Sequence, residues 1–363
     1  MDAPLRRTPL ADRHAALGAK LGPFGGWEMP IEYAGVLAEH RAVRSGVGLF
    51  DLSHLGKIDV GGPSAVGGLQ RLLSNDVSKV PVGGAQYHLL LREDGGVAED
   101  LILYRLAEDR WFVVPNAANT TTVVGAFGAA GLAPSVLDPW CFLGVQGPRA
   151  PSVVARMFAE AEGLRYFGCI ETTFRGQRLV LARTGYTGER GFELFCDAGL
   201  AGELWDAIVD AGRDDGILPC GLGARDVLRL EMGYPLHGQD IGPQRTPLEA
   251  GLGWAVAMAK GPFVGREALE AQQRGGLPSR LVGLATDERR HIPRSHQSVL
   301  VGDRVVGAVT SGTFSPTLGT GIALAYVAPA DVVAEGDRVA IDVRGRLAPA
   351  RVVRPPFVDR SPR

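Results

Sequence analysis

The pattern of apolar and polar positions divides this chain into four zones. The patterns of the first two zones predict different helices and strands. Residues 1–50 are predicted to be loop-rich around WEMPIEY and then helical at 34–43. Residues 51–139 contain strand-like runs, which are LGKIDVGG, AQYHLLL, LILYRL and RWFVV. Two helix-like runs, at 64–73 and 119–130, accompany them. This order indicates an α+β unit with an antiparallel sheet.

The third zone, residues 140–240, has a similar element order but no sequence repeat that relates it to the second zone. Its strand-like runs are CFLGVQG, RLVLART and FELFC, and its helices are predicted near 151–159 and at 200–211 and 225–232. A proline-bearing connecting segment follows at 241–278. Residues 279–363 are short strands separated by Gly, Asp and Pro, which predicts a small β-barrel or sandwich.

Composition narrows the class of protein. A chain of 363 residues with 45% hydrophobic and 21% charged residues is typical of a globular protein with two or three domains. The 38 Lys and Arg against 40 Asp and Glu give a net charge of -2, so no general field attracts nucleic acid or an anionic membrane. Apolar runs are shorter than the ~20 residues of a membrane span, and MDAPLRRTPLADRH lacks the apolar segment of a signal peptide. We therefore expect a cytoplasmic protein.

Cysteine and histidine spacing gives no sign of a metal site. The seven histidines lack the i, i+4 pairing of a helical zinc site. The cysteines lie far apart without a Cys-x-x-Cys pair, so we expect buried thiols at Cys141, Cys169, Cys196 and Cys220.

Four acidic and basic positions are candidates for function. In GGVAEDLILYRL, Glu99 and Asp100 follow a double glycine, and from spacing alone the favoured interpretation is solvated acids at a strand edge. Glu193 shares a strand face with Phe195, where a carboxylate is costly unless it is wet or meets a donor. In GLGARD, which lacks the third glycine of a dinucleotide fingerprint, Arg225 is predicted in the first turn of a helix. It either attracts an anion there or forms a surface ion pair.

Nine motifs carry a resemblance to a known family. In chain order they are TPLADRHAALGAKLGPFGGWEMPIEY, EHRAVRSGVGLFDLSHLG, LLSNDV, AQYHLLLREDGGVAEDL, NAAN, TGYTGERGFEL, GLGARDVLRLEMGYPLHGQDI, KGPFVGREAL and SGTFSPTLG. They run from Thr8 to the terminal PPFV, and together they strongly resemble the T-protein family, the aminomethyltransferases of the glycine cleavage system.

The resemblance implies an α+β fold of three domains around a central folate cavity, with two ferredoxin-like α+β domains and a C-terminal β-barrel. The implied divisions are 1–50 plus 140–240 as one discontinuous domain, 51–139, the connecting segment 241–278 and the barrel 279–363. It also implies the reaction. The methylene of the aminomethyl group carried on the lipoyl arm of the H-protein is transferred to tetrahydrofolate, which gives 5,10-methylenetetrahydrofolate and ammonia. The expected partners are lipoylated H-protein and tetrahydrofolate, without metal, nucleic acid or membrane, and we expect a monomer.

The family's Gly-Gly-x-x-Asp-Asp-Leu motif implies that Asp100 is the catalytic acid, with Glu99 where an Asp is usual. A fixed carboxylate stabilises the positive charge that develops on the transferred carbon and on the attacking nitrogen. Alternatively it holds N5 or N10 of the folate in line or relays a proton. The folate-binding residues implied by the same motifs are Tyr87, Asn116, Tyr186, Glu193, Arg225, Trp254 and Arg360.

Several of these assignments have alternatives. Tyr87 and Tyr186 could instead be ordinary core or strand tyrosines. Asn116 could instead cap the helix that follows it. Arg360 lies in a tail after Phe357 that departs from the family pattern, where it would pair with the folate glutamate. Two other functions share the implied fold, a folate-dependent demethylase and a non-catalytic folate-binding relative. The second carries a Lys-Gly-Cys-Tyr signature where this chain reads MGYPLHGQD, without a cysteine.

Overall fold

A computed structural model describes residues 4–363, and this part of the chain forms eight α-helices and twenty β-strands. The helices are α1 Ala11–Ala16, α2 Val36–Ser45, α3 Ala65–Leu72, α4 Thr120–Ala129, α5 Ala150–Ala155, α6 Ala201–Ala211, α7 Leu222–Glu231 and α8 Arg266–Gly275. The strands are β1 Arg6–Arg7, β2 Lys20–Phe24, β3 Trp27–Glu32, β4 Gly48–Asp51, β5 Ile58–Gly61, β6 Gly84–Leu91, β7 Val97–Ala107, β8 Arg110–Pro115, β9 Pro134–Val136, β10 Trp140–Gln146, β11 Cys169–Phe174, β12 Gln177–Ala182, β13 Gly191–Asp197, β14 Leu218–Cys220, β15 Arg280–Thr286, β16 Ser298–Val301, β17 Arg304–Ser315, β18 Thr320–Val327, β19 Arg338–Val343 and β20 Arg346–Val353.

The second zone folds into an antiparallel sheet of five strands in the order β6-β7-β8-β5-β9. Apolar residues of α3 and α4, such as Leu69 and Phe127, pack with strand residues such as Trp111 in one buried core. Strand β7 begins at Val97, earlier than the predicted run at Leu101, so both acids of the GGVAED stretch lie inside a central strand. The prediction that they occupy a strand edge is wrong, because pairing with β6 continues before the apolar run, through Asp100 and Glu99.

The turn before β7 is covered by the connecting segment. Gly95 has a φ of 82°, a conformation that favours glycine. At Gly96 a side chain is excluded for a different reason, since a Cβ there would lie 2.1 Å from the carbonyl oxygen of Pro243. The backbone N–H of Val97 donates to the carbonyl oxygens of Gly242 and Arg245. The double glycine therefore lets a distant part of the chain lie against the turn.

The third zone forms a six-stranded sheet in the order β11-β12-β13-β10-β4-β14. Its fifth strand, β4, comes from residues 48–51, and it pairs antiparallel to β10 and parallel to β14. The N-terminal part of the chain and residues 140–220 thus share one sheet. Helices α5 and α6 cover one face, where Trp205 and Phe192 are buried.

The last zone is a closed barrel of six strands in the order β15-β18-β17-β16-β19-β20. Of the two predicted alternatives, barrel and sandwich, the barrel is correct. Strand β17 extends for 12 residues and has a register shift between Val309 and Ser311, a feature that bends a strand so that a sheet can close.

The prediction of loop around WEMPIEY is wrong, because these residues form β3, which pairs with β2 and β1. The hairpin between β2 and β3 turns at Gly25 and Gly26, whose φ values are 56° and 84°. Positive φ at both central residues is the requirement of a type I′ turn, one of the two common two-residue hairpin turns. Trp27 and Met29 then alternate into a small buried cluster, which stabilises the strand.

Buried ion pairs join α7 to its neighbours. Glu231 accepts hydrogen bonds from His40 and Arg44 of α2 and from Ser315 of β17. These donors lower the pKa of Glu231 to about 2, although burial opposes ionisation. Two positions earlier in α7, Arg229 donates to Asp240 at 2.6 Å and to Ser311 at 2.8 Å. The barrel is therefore fixed to the last turn of α7. Within residues 4–363, none of the helices combines the length and apolar character needed to cross a membrane.

Candidate active site

The carboxylate of Asp100 is held from both sides by neighbouring strands. Asp100 lies opposite Leu89 of β6, and Tyr87, two residues earlier, is therefore its diagonal neighbour on the same face. The hydroxyl of Tyr87 donates to Oδ2 at 3.0 Å. Asn116, which directly follows β8, donates from Nδ2 to Oδ1 at 2.9 Å. Each carboxylate oxygen thus has a donor that fixes its orientation.

Glu99 is fully buried behind Asp100 and is not solvated as the spacing predicted. Its Oε1 accepts from the backbone N–H and from Nδ2 of Asn116, both at 2.7 Å, and its Oε2 accepts from Nδ2 of Asn119. Burial and the neighbouring charge of Asp100 raise the pKa of Glu99 to about 8, against the opposing effect of these donors. Burial also raises the pKa of Asp100. Two adjacent carboxyl groups in such surroundings favour one shared proton over two negative charges.

Asn116 does not cap the helix after it, which was the alternative interpretation. It precedes a short 3-10 turn, Ala117–Asn119, and its side chain makes no capping hydrogen bond. The side chain instead bridges Glu99 and Asp100. Asn116 is therefore part of the acidic cluster.

Tyr87 also connects Asp100 to the protein surface. Its ring stacks on that of Trp254, with centroids 5.4 Å apart and an interplanar angle of 28°. Trp254 is 67% exposed, an unusual fraction for the largest apolar side chain. The stack leads from solvent to the catalytic carboxylate predicted from the sequence.

Glu193 is buried between aromatic side chains, as its strand pattern predicted, and it has donors. The hydroxyl of Tyr104 donates to Oε2 at 3.0 Å, and the hydroxyl of Thr184 donates to the same oxygen. Burial raises the pKa of Glu193, while these donors and the charge of Arg225 oppose that rise. Within residues 4–363 no hydrogen bond reaches the second oxygen, Oε1. One carboxylate oxygen is thus available to a ligand.

Arg225 lies in the first turn of α7, as predicted, with its guanidinium 4.8 Å from the ring centroid of Tyr186. It is not in a surface ion pair with Asp226, because Asp226 pairs with Arg229 at 2.8 Å. No carboxylate of the described residues lies within ion-pair distance of Arg225. Burial lowers the pKa of Arg225, and the charge of Glu193 opposes this effect. A half-buried cation without a paired anion is suited to bind a polar ligand.

Tyr186 lies near both groups. Its hydroxyl donates to the carbonyl oxygen of Pro235, and its ring lies 5.6 Å from that of Tyr234. Burial raises the pKa of Tyr186, and the charge of Asp100 raises it further. Burial and the same charge raise the pKa of Tyr87. Tyr87 thus contacts Asp100, and Tyr186 contacts Arg225.

Arg360 lies apart from these residues. Its Nε is 3.6 Å from Oε1 of Glu189, a buried carboxylate that also accepts from Arg44 at 3.0 Å. It makes no hydrogen bond or ion pair to the other predicted site residues in the described part of the chain. Its role in binding stays a prediction.

Sequence reasoning missed residues that orient the predicted ones, which are Tyr104, Thr184, Asn119 and His237. Signals for two of them were present. Asn119 stands three residues after Asn116 in the quoted NAAN motif, and His237 lies in MGYPLHGQD. Tyr104 and Thr184 carry no local signal, because they meet Glu193 only in the folded chain.

Comparison with known families gives two matches that together cover most of the chain. Residues 10–260 match the family described as the GCVT N-terminal domain. Residues 280–359 match the glycine cleavage T-protein C-terminal barrel domain.

Similar proteins match over their full lengths. An aminomethyltransferase from Frankia alni is 51% identical, with 99% of this chain and 100% of that protein covered. One from Mycobacterium tuberculosis is 46% identical, with 96% of each covered. The crystal structure of the glycine cleavage system aminomethyltransferase T from Bartonella henselae is 35% identical and superposes with a TM-score of 0.93 over 98% of this chain and 99% of that one.

Proposed function

The chain belongs to the glycine cleavage T-protein family, and we propose that the residues around Asp100, Glu193 and Arg225 carry out its aminomethyltransferase reaction on tetrahydrofolate. The resemblance inferred from the motifs is confirmed, as is the α+β fold with a C-terminal barrel. The function is that of a glycine cleavage aminomethyltransferase, and the demethylase and non-catalytic alternatives are not favoured. The substrates and residue roles below are our proposals.

The observation that carries the proposal is the free carboxylate oxygen of Glu193 near the unpaired guanidinium of Arg225. A pterin edge presents an amino group and a ring N–H side by side, and one carboxylate can accept from both. Oε1 is open to such a donor, while Tyr104 and Thr184 hold Oε2 in place. The planar fork of Arg225 suits a carbonyl or carboxylate oxygen of the same ligand.

The aromatic side chains fit a flat ligand. Tyr186 lies under Arg225, and Tyr87 stacks on Trp254 beside Asp100. Ring systems bind between aromatic side chains through stacking and edge contacts. We propose that Tyr87 and Tyr186 flank the folate rings and that Trp254 lies at the entrance.

The reaction needs charge stabilisation more than a nucleophile from the protein. The methylene carbon loses its bonds to sulfur and nitrogen and gains bonds to N5 and N10 of the folate, and the two folate N–H hydrogens end on the thiol and on ammonia. Positive charge develops on the carbon and then on the attacking nitrogen. A carboxylate fixed beside them, as Asp100 is fixed by Tyr87 and Asn116, stabilises that charge without reorganising.

The aminomethyl donor is proposed to be lipoylated H-protein, since the glycine cleavage reaction supplies the group in that form. The cytoplasmic location and the monomeric state stay predictions.

The test combines pure protein, aminomethyl-loaded H-protein and tetrahydrofolate, and follows ammonia and methylenetetrahydrofolate. We expect folate-dependent formation of both products by the wild type and a loss of about 100-fold or more in kcat for Asp100→Asn. Tetrahydrofolate affinity should stay within about fivefold, because Asp100 is not a proposed pterin ligand. The matched control is Asp109→Asn, an exposed aspartate in the β7–β8 turn. An equal loss of affinity and rate, or an active Asp100→Asn, would contradict the assignment.

A further inference from the structure

His237 lies behind the acidic pair, in the turn that follows α7. Its Nε2 is 3.3 Å from the carbonyl oxygen of Val97, and its Nδ1 is 3.0 Å from Nδ2 of Asn119. A carbonyl oxygen can only accept a hydrogen bond, so in the neutral imidazole Nε2 carries the ring hydrogen and Nδ1 presents a lone pair. Asn119 therefore donates one of its two amide hydrogens to His237.

The other hydrogen of this amide nitrogen donates to Oε2 of Glu99. If the Asn119 amide turned over, its oxygen would face the lone pair of Nδ1, and two acceptors would meet without a hydrogen between them. The tautomer of His237 thus determines which atom of Asn119 faces Glu99. This orientation keeps Glu99 as an acceptor.

The side-chain amide of Asn116 links Glu99 to Asp100. Nδ2 of Asn116 lies 2.7 Å from Oε1 of Glu99 and 2.9 Å from Oδ1 of Asp100. We propose that His237 is a positioning residue that fixes Asp100 through Asn119, Glu99 and Asn116. The proposal rests on the proposed function, because it gives His237 a part in the reaction at Asp100.

The turn that holds His237 is rigid before any ligand binds. Asp240 is fully buried and accepts from the backbone N–H of Leu236 at 2.9 Å, from Arg229 at 2.6 Å and from Ser311 at 2.8 Å. These bonds fix the two ends of the turn to α7 and to the barrel. His237 is thereby placed by the fold, as a positioning residue must be.

The kinetic test uses two variants of His237. His237→Phe keeps a ring and removes both nitrogens, so we expect kcat to fall about tenfold while the KM for tetrahydrofolate changes by less than about twofold. His237→Asn places an amide oxygen near the position of Nδ1 and should restore kcat to within about threefold of wild type. The control is His291→Phe, a partly exposed histidine outside this network. An unchanged kcat in His237→Phe, or equal losses in both His237 variants, would overturn the proposal.

A spectroscopic test decides the same point without turnover. In protein with 15N-labelled histidine, we expect the ring of His237, assigned by comparison with His237→Phe, to show an unprotonated Nδ1 and a protonated Nε2. A hydrogen on Nδ1 would overturn the proposal. Asp100→Asn is assayed in parallel. If the wild type gave no folate-dependent products, the proposed function would be wrong. The tautomer measurement would still show whether His237 accepts a hydrogen bond at Nδ1.

Discussion

The hydroxyl of Tyr104 donates to Oε2 of Glu193 at 3.0 Å, and this bond joins the five-stranded sheet to the six-stranded sheet. Tyr104 stands four residues after Asp100 on the same face of β7. One strand therefore presents the proposed catalytic acid and also orients the proposed folate-binding carboxylate. The binding and reacting groups are held at a fixed separation by a single element.

Tyr104→Phe should weaken tetrahydrofolate binding. It removes one of the two donors that hold Oε2 of Glu193, which costs about 1 kcal/mol, or roughly fivefold in Kd. Isothermal titration calorimetry measures the change. Tyr166→Phe is the control, since the described residues make no hydrogen bond to the Tyr166 hydroxyl. Equal affinities for Tyr104→Phe and wild type would remove Glu193 from the folate site or show that Thr184 alone suffices.

Arg225→Lys should also weaken binding, by about tenfold in Kd, because an ammonium group cannot reproduce the planar fork or its contact with Tyr186. The comparison variant is Arg213→Lys, a strongly exposed arginine. Calorimetry with tetrahydrofolate distinguishes the two. An unchanged Kd in Arg225→Lys would mean that only the charge of Arg225 matters or that Arg225 does not contact the ligand.

Trp254→Leu should raise the KM for tetrahydrofolate about threefold, since it removes an aromatic contact of about 0.5–1 kcal/mol at the proposed entrance. Trp254→Phe keeps a ring that can stack on Tyr87 and should stay close to wild type. Steady-state kinetics at saturating H-protein provide the measurement. If both variants behaved alike, stacking at this position would have no part in binding.

His88 gives a prediction about stability and pH. It is fully buried, neither ring nitrogen has a partner among residues 4–363, and burial and the charge of Lys260 lower its pKa to about 3. The unfolded chain binds a proton at His88 near pH 6.5 and the folded chain does not. Stability is therefore lost as the pH falls from about 6.5 toward 3, by about 1.4 kcal/mol per pH unit for this group.

His88→Leu should reduce this loss by about one proton between pH 6 and pH 4, and it should also remove two unsatisfied polar atoms from the core. Urea unfolding at several pH values gives the slope. His291→Gln serves as the comparison because that side chain is partly exposed. An unaltered slope in His88→Leu would show that the folded chain protonates His88 in this range.

The sequence predicted the elements with strong periodicity and missed those whose partners lie far away. The helices at α2, α3, α4, α6 and α7 were each predicted with ends within a few residues, because apolar spacing and end signals are local. The strand at Trp27–Glu32 was missed although FGGW is a local hairpin signal, because Pro30 is unusual inside a strand. Strand β4 was missed because four residues show no pattern until β10 and β14 pair with them.

The candidate site likewise contains residues that the sequence predicted and residues that it missed. Asp100, Glu193 and Arg225 could be chosen from motifs, since each motif is contiguous. The hydrogen bonds that orient them could not be predicted. Tyr104 and Glu193, and likewise Asn119 and His237, are far apart in sequence and come into contact only in the folded chain. The interpretation of Glu99 as a solvated acid failed for a related reason. Its burial depends on Asn116 and Asn119, which follow the next strand.

The contact between Gly96 and Pro243 has a consequence for synthesis of the protein. A ribosome that has made the hairpin β6–β7 has produced both acids of the pair, but the segment that covers their turn is about 150 residues further along the message. Contacts so distant in sequence carry a high closure entropy and form after local ones. The turn before the acidic pair therefore stays uncovered until residue 243 has left the exit tunnel.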